Sequence, residues 1–372
     1  MHPSSKPLFG IYVHWPYCLS KCPYCDFYSV VCKQPDYQKI FQTYQRDILF
    51  FKKKFAPKND VTSVFFGGGT PSLMPTDLLK DLLNLLKENF SLDESVEITM
   101  EANPDAIDAH KMSQIKQLGI NRLSIGVQAL TESALKRLGR RHSLQTARSC
   151  IAEAKRYFEE VNADFIYARP EQTPAQWQEE LNDILDLNLT HYSLYQLTIE
   201  ENTPFYRQNI AIPDEDTAAQ MYLMTNQIMS EAGFAPYEIS NYAADEHRCL
   251  HNLTYWHGDD YLGIGPAAHG RIGLWATQNA PTTKKWFETM PLCEQLSQTE
   301  RQEERILMGL RLMREGFPVE QLNPQGIQKA EQYGFGKVQN KLFYPSESGF
   351  LALNRLILML LPEETEKNDF YS

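Results

Sequence analysis

The sequence predicts an α/β protein whose first half is built of consecutive parallel βα units. Two observations carry this. Six short β-branched and aromatic runs recur at residues 10–14, 62–66, 95–101, 122–128, 162–167 and 191–197, and the gaps between them show helical spacing. Parallel neighbours need crossovers of a dozen or more residues, and each gap is long enough to hold one. Six such units satisfy an open doubly wound sheet and an incomplete barrel equally, so periodicity alone does not choose.

Taken in order, the first gap carries Ile40, Tyr44, Ile48 and Phe51 on one helical face, and the second carries Leu78, Leu79, Leu82, Leu83 and Leu86. The βα rhythm stops after Gln196. Pro204, Pro213 and Asp214 precede a helical stretch at 215–232, where a second region begins. A connection at 280–283 leads to a helix expected over 300–314, with Ile306, Leu307, Leu310 and Met313 on one face, and then to a small α/β lobe. The polar end from 363 is expected to fray. No internal repeat accompanies the βα rhythm.

Composition narrows the function classes. Hydrophobic residues make up 42% and charged residues 22% of the 372, which describes a folded protein. With 36 basic against 47 acidic residues the net charge is −11, so no nucleic-acid partner is expected. The longest apolar stretch near either end, 356–361, is too short to span a bilayer, and residues 1–7 hold no apolar signal region. A cytoplasmic location is expected. Seven cysteines cannot all pair, and three of them crowd between 18 and 25, which in a reducing compartment reads as a metal or cluster site.

Cys18, Cys22 and Cys25 form C-x3-C-x2-C after the first strand, with Tyr24 and Phe27 as aromatic cover. Three thiolates suit a [4Fe-4S] cluster that keeps one iron open, since closed electron-transfer clusters take four. The alternatives are a Cys3His zinc site that recruits His14, and chance clustering of inert thiols. Cys32, Cys150 and Cys293 read as ordinary buried or surface thiols.

Further polar residues close the strands. Gly67-Gly68-Gly69-Thr70-Pro71 lets backbone approach a ligand and offer amide donors, or is an ordinary tight turn. Glu101 and Gln128 end the third and fourth strands. A carboxylate accepts bonds from sugar hydroxyls and an amide both donates and accepts, although polar strand ends also serve solubility. Arg140 presents a planar fork suited to a carboxylate, or is a solvated helix-end charge like adjacent Arg141. Asp164 interrupts the apolar run 163–167 and needs a partner, whether a structural hydrogen bond or a ligand.

Tyr12-Val13-His14-Trp15-Pro16-Tyr17-Cys18 followed by Cys22-Pro23-Tyr24-Cys25-Asp26-Phe27 resembles the signature of radical S-adenosylmethionine (SAM) proteins of the HemN/HemW group. That resemblance implies an incomplete (β/α)6 TIM-like barrel with a smaller C-terminal α/β lobe. It divides the chain into a radical SAM core at 1–236, a connecting region at 237–299 and a HemN-type domain at 300–372. It also implies that SAM chelates the open iron through its amino and carboxylate groups, and that one electron splits its sulfonium to a 5′-deoxyadenosyl radical. The SAM-site positions carried over are Tyr12, Gly68, Gly69, Thr70, Glu101, Gln128, Arg140 and Asp164. Where the family usually runs Gly-Leu-Pro-Gly-Gln-Thr, this chain has Ala168-Arg169-Pro170-Glu171-Gln172-Thr173, which loses two glycines and adds two charges.

Within the group, the coproporphyrinogen III oxidases carry another cysteine where this chain has Phe27, and a longer segment than the 17 residues before Cys18. The heme chaperone branch, HemW, carries an HNxxYW motif that His251-Asn252-Leu253-Thr254-Tyr255-Trp256 matches in full. Residues 237–243, 261–269, 191–195 and 303–311 also resemble that branch, so the resemblance spans nearly the whole chain. It implies heme, held between the barrel mouth and the second region, and a heme-accepting protein as partners. Imidazole is a good axial ligand for heme iron, with Tyr255 and Trp256 to cover the macrocycle. His251 is the heme-binding residue taken from this, against rivals His247, Cys249 and His269 and against a satisfied structural histidine. No catalytic residue is assigned, and a chaperone is favoured over an enzyme, with SAM cleavage left open. The alternatives are a porphyrinogen oxidase and a radical SAM enzyme acting on RNA, the latter disfavoured by the acidic balance.

Overall fold

Each of the six runs folds as a strand: β1 (Phe9–Trp15), β2 (Ser63–Gly68), β3 (Glu97–Ala102), β4 (Arg122–Gln128), β5 (Glu160–Tyr167) and β6 (His191–Gln196). They pair parallel in chain order. The structure is a computed structural model that describes residues 7–57 and 60–362; the leader through residue 6 and the tail from 363 lie outside the described residues. The crossovers are α1 (Tyr37–Phe55), α2 (Thr76–Asn89), α3 (Ala109–Gln117), α4 (Leu144–Tyr157) and α5 (Pro174–Leu185). Helix α1 starts where the Asp36 carboxylate accepts the Lys39 amide, and it buries Ile40, Tyr44, Ile48 and Phe51 as expected.

Alternation along the strands decides between the two architectures. Ile11, Val13, Val64, Phe66, Ile98, Met100, Leu123, Ile125, Ala163, Phe165, Tyr192 and Leu194 join one helix-covered core. Their neighbours Thr99, Glu101, Ser124, Asp164 and Ser193 point the other way and line a shared cleft. A doubly wound sheet has helices on both faces, whereas here the polar faces of successive strands meet one another. The sheet is therefore curled into a partial barrel.

The second half extends this sheet at both edges. β7 (Asn241–Ala243) runs antiparallel to β6, and β8 (Asp260–Ile264) lies parallel to β1. β9 (His269–Ile272), β10 (Trp275–Gln278) and β11 (Leu292–Gln295) follow antiparallel, for an order β11-β10-β9-β8-β1-β2-β3-β4-β5-β6-β7 among the described residues. Helix α6 (Glu215–Glu231), as expected, connects β6 to β7, and α7 (Leu250–Trp256), between β7 and β8, packs on β1 and β2. Gly10 is a glycine for that reason: a Cβ there would stand 3.2 Å from the His251 ring.

The C-terminal lobe has its own core around Ile306, Phe343, Leu356 and Leu360 and a three-stranded sheet of Phe317–Pro318, Leu342–Pro345 and Gly336–Gln339. The helix expected through residue 314 spans Gln298–Gly309. It stops early because Leu312 bridges to Glu238 and the Met313 amide donates to the Tyr237 carbonyl at 3.0 Å, which ties the lobe to the barrel. No helix among the described residues is long and apolar enough to cross a membrane.

Candidate functional site

A cleft of about 470 Å³ opens at the carboxyl ends of the strands. Its wall includes Cys18, Cys22, Cys25, Gly68, Gly69, Thr70, Glu101, Gln128, Arg140 and Asp164, so ten sequence-selected residues from four strands, β2 to β5, and from the segments before and between them meet there. Two do not line it, Tyr12 and His251.

The cysteine loop is fastened to β2 by backbone. Gly69 and Thr70 donate their amides to the carbonyls of Trp15 and Tyr17, at 2.7 and 2.9 Å, and Gly68 donates to Glu101 Oε2 at 3.2 Å. The expected free amide donors of the glycine run are therefore corrected: all three are used within the protein. The glycines are still required. A Cβ on Gly69 would lie 2.7 Å from the Tyr17 oxygen, and Gly68 adopts φ +108° with His14 directly above it.

Around the thiols runs a hydrogen-bonded chain. The Thr70 hydroxyl donates to Cys18 Sγ at 3.5 Å and accepts from Asn103 Nδ2 at 3.1 Å. Asn103 Oδ1 accepts from Arg140 Nη2 at 2.6 Å, and Arg140 Nη1 donates to Cys22 Sγ at 3.4 Å. Burial opposes the charge of Arg140, but Tyr24 and Cys22 beside it hold its pKa above the ordinary value. Its Nε is buried without an acceptor. Burial pushes the Cys25 thiol up to about 11, with Cys22 and Cys18 adding to the effect, so a bound metal would displace a proton there.

The zinc alternative does not match this geometry. His14 is turned away, with Nδ1 paired to the Tyr12 hydroxyl at 3.0 Å and Nε2 to the Tyr28 carbonyl at 2.9 Å. Among the described residues no three His, Cys, Asp or Glu side chains converge on one metal-ion position. A single zinc needs every sulfur about 2.3 Å from one point. The three thiols line the cleft together.

Two half-buried acids, Glu101 and Asp164, also line the cleft. Burial, followed by the charge of Asp164, pushes Glu101 up to about 8, partly offset by the Gly68 amide. Burial also raises Asp164, against hydrogen bonds from Asn162, Ser193 and Ser124 and the charge of Arg140. Asn162 Nδ2 reaches Asp164 at 2.7 Å and Ser124 Oγ at 2.8 Å. Gln128 ends β4 with φ +74°, beside a register shift against β5. The glycine-poor loop after β5 retains a turn that glycines would favour, because Ala168 and Glu171 both take left-handed φ, +54° and +64°.

Two sequence assignments change. Tyr12 stands back from the cleft, since its ring stacks on Phe65 and its hydroxyl is engaged by His14. His251 is 1% exposed, with Nδ1 paired to Ser63 Oγ at 2.9 Å and Nε2 to Tyr255 OH at 2.8 Å. Burial lowers its pKa to about 3, so the ring is neutral. With both nitrogens bonded inside the barrel, His251 is a core post and not a free ligand. Its neighbour Asn252 does line the cleft floor, 3.4 Å from the Tyr237 hydroxyl, which in turn meets His191 Nε2 at 2.8 Å. Of the residues that sequence reasoning passed over, Asn103 had one visible signal, its place two residues after Glu101, just past a strand end. Ser124 and Asn162 had only strand alternation.

A profile of the radical SAM superfamily matches residues 12–184. The heme chaperone HemW of Escherichia coli (strain K12) is 38% identical over 272 residues, 72% of this chain and 71% of that protein. HemW of Mycobacterium tuberculosis (strain CDC 1551 / Oshkosh) is 33% identical over 340 residues, 87% and 86% of the two chains. The mitochondrial radical S-adenosyl methionine domain-containing protein 1 of Mus musculus is 35% identical over 331 residues, 83% and 74%. Among solved structures, coproporphyrinogen III oxidase (HemN) from Escherichia coli superposes with a TM-score of 0.81 at 19% identity, covering 95% of this chain and 90% of that one; at that identity the likeness is one of fold.

Proposed function

This chain belongs to the HemW family of radical SAM proteins, and from that premise we propose that it is a heme chaperone with a [4Fe-4S] cluster and SAM bound in its barrel. The observation that carries the SAM and cluster part is that three thiols, an Arg140 with an unused Nε donor and two carboxylates all line one cleft. Cys18, Cys22 and Cys25 would hold the cluster. When bound, it supplies an open iron for the amino acid end of SAM and an electron for cleaving the sulfonium. Thr70 and Arg140 donate to two of the thiolates and so stabilise their charge. The free Nε of Arg140 suits the SAM carboxylate, and Glu101 and Asp164 suit hydroxyl donors and a cationic centre. Gln128, Gly68 and Gly69 complete the site, with Tyr12 packed behind it.

The pH dependence follows from Glu101. An ionised carboxylate is the stronger acceptor, so SAM binding releases the proton that Glu101 holds below about pH 8. Affinity is expected to rise between pH 6 and pH 8, by at most about tenfold per pH unit, and to level off above. Calorimetry on Glu101→Gln should show the Glu101 contribution to that slope gone; the same slope in both proteins would remove Glu101 from the site.

Heme and a heme-accepting protein are the partners in this reading, with heme seated between the barrel mouth and the second region. Phe27, 65% exposed on the cleft wall, offers apolar surface there in place of the oxidases' additional cysteine. We keep the functional division at 236 and 299, and we infer a cytoplasmic location from seven free thiols, which suit a reducing compartment. Anaerobically reconstituted protein is expected to form a stable heme complex and not to decarboxylate coproporphyrinogen III. Turnover at an enzymatic rate without a heme complex would restore the oxidase reading.

A further inference from the structure

The loop in which this chain departs from its family contains a buried ion pair. Arg169, which replaces the usual leucine, is 6% exposed and forks onto Glu180 of α5, itself 5% exposed, with Nη1 at 3.0 Å from Oε1 and Nη2 on Oε2. Gln172 backs both partners, accepting the Arg169 amide at 3.2 Å and donating to Glu180 at 3.3 Å. Both members also reach the end of β4. Arg169 Nη1 donates to the Gln128 carbonyl at 3.4 Å, and Glu180 Oε1 accepts the Leu130 amide at 2.7 Å. Those two bonds hold the chain at the left-handed residue Gln128 and at Leu130 just beyond it, and the Gln128 side chain lines the cleft. The second added charge, Glu171, pairs at the surface with Arg137, which also donates to the Pro170 carbonyl, so the turn is braced from outside as well.

We propose that the Arg169–Glu180 pair positions Gln128 for SAM, holding by charge-assisted hydrogen bonds a loop and strand end that the family shapes with two glycines. This rests on the reading that SAM occupies the cleft. A buried ion pair is weak support for stability, because an apolar pair of similar volume often replaces it without loss. What the fork adds is geometry: one planar group bonds a carboxylate and a carbonyl at once. Arg169 and Glu180 touch no ligand themselves. Their effect passes through Gln128.

The test uses the full chain, reconstituted anaerobically. In R169L/E180L the iron content of the folded protein should stay near wild type and the melting temperature should fall modestly, because the buried Leu130 amide loses its acceptor, while SAM, measured by calorimetry on the folded protein, binds about tenfold more weakly, the loss expected for one hydrogen bond. Repeated in a Q128A background, the same pair of substitutions should cost nothing further. Unchanged SAM affinity in R169L/E180L, or an equal loss in the Q128A background, overturns the proposal. Arg169→Lys keeps the charge without the fork and covers a double variant that does not fold: it should show the same weakening, and wild-type affinity there also counts against the idea. Wild-type protein that does not bind SAM at all would instead overturn the reading beneath it, and this proposal along with it.

Discussion

Replacing any one of Cys18, Cys22 or Cys25 with Ala is expected to abolish the iron–sulfur absorbance together with its response to SAM. The cysteine loop supplies only three thiolates, and Cys249, the other thiol on the cleft, is engaged by Glu97 at 3.4 Å, so losing one leaves a second iron without protein support. The surroundings sharpen the expectation. Cys18 and Cys22 receive hydrogen bonds from Thr70 and Arg140, while Cys25 is held as a thiol by burial until a metal takes its proton. Cys150, buried on α4, and Cys293, on the edge strand β11, lie away from the cleft, and their replacement should leave iron content unchanged. Iron and sulfide assays on anaerobically purified protein decide the matter: a triple Cys→Ala variant with wild-type content would end the assignment.

His251→Ala should destabilise the protein strongly while leaving heme affinity intact in the folded fraction. The substitution strands Ser63 Oγ and Tyr255 OH and empties a space that the ring fills between Phe65 and Gly10. Unsatisfied buried groups cost about 1–3 kcal/mol each, and the cavity adds to this, for a total of about 3–5 kcal/mol. A thermal melt should show a drop of several degrees. Heme titration monitored by absorption separates the roles, because an axial ligand would shift the heme band on removal and a core post would not. A changed band with a wild-type melting temperature would return His251 to the iron.

The same histidine shows what kind of information a sequence holds. Its motif was legible, since HNxxYW is a pattern of neighbours. Its role was not, because the partner that decides it, Ser63, lies 188 residues away. The glycine run behaves alike: the turn at 67–69 was visible, but the carbonyls that take its amides belong to Trp15 and Tyr17, on another strand and its loop. Helix 298–309 was legible to its last turn, and its end was hidden because the residues that draw the chain away sit at 237 and 238.

By itself, then, the sequence determined the six βα units, the order in which their polar ends follow one another, and the cysteine loop after the first strand, because each of these depends on spacing along the chain. Only the tertiary structure decided that the sheet curls instead of lying open, that Asn103 links Thr70 to Arg140, that Asp164 faces Glu101, and that Arg169 finds Glu180. The physical reason is common to all four. A buried polar group takes its character from the atoms that replace water around it, and in a parallel barrel most of those atoms arrive from strands and loops that are distant in the sequence.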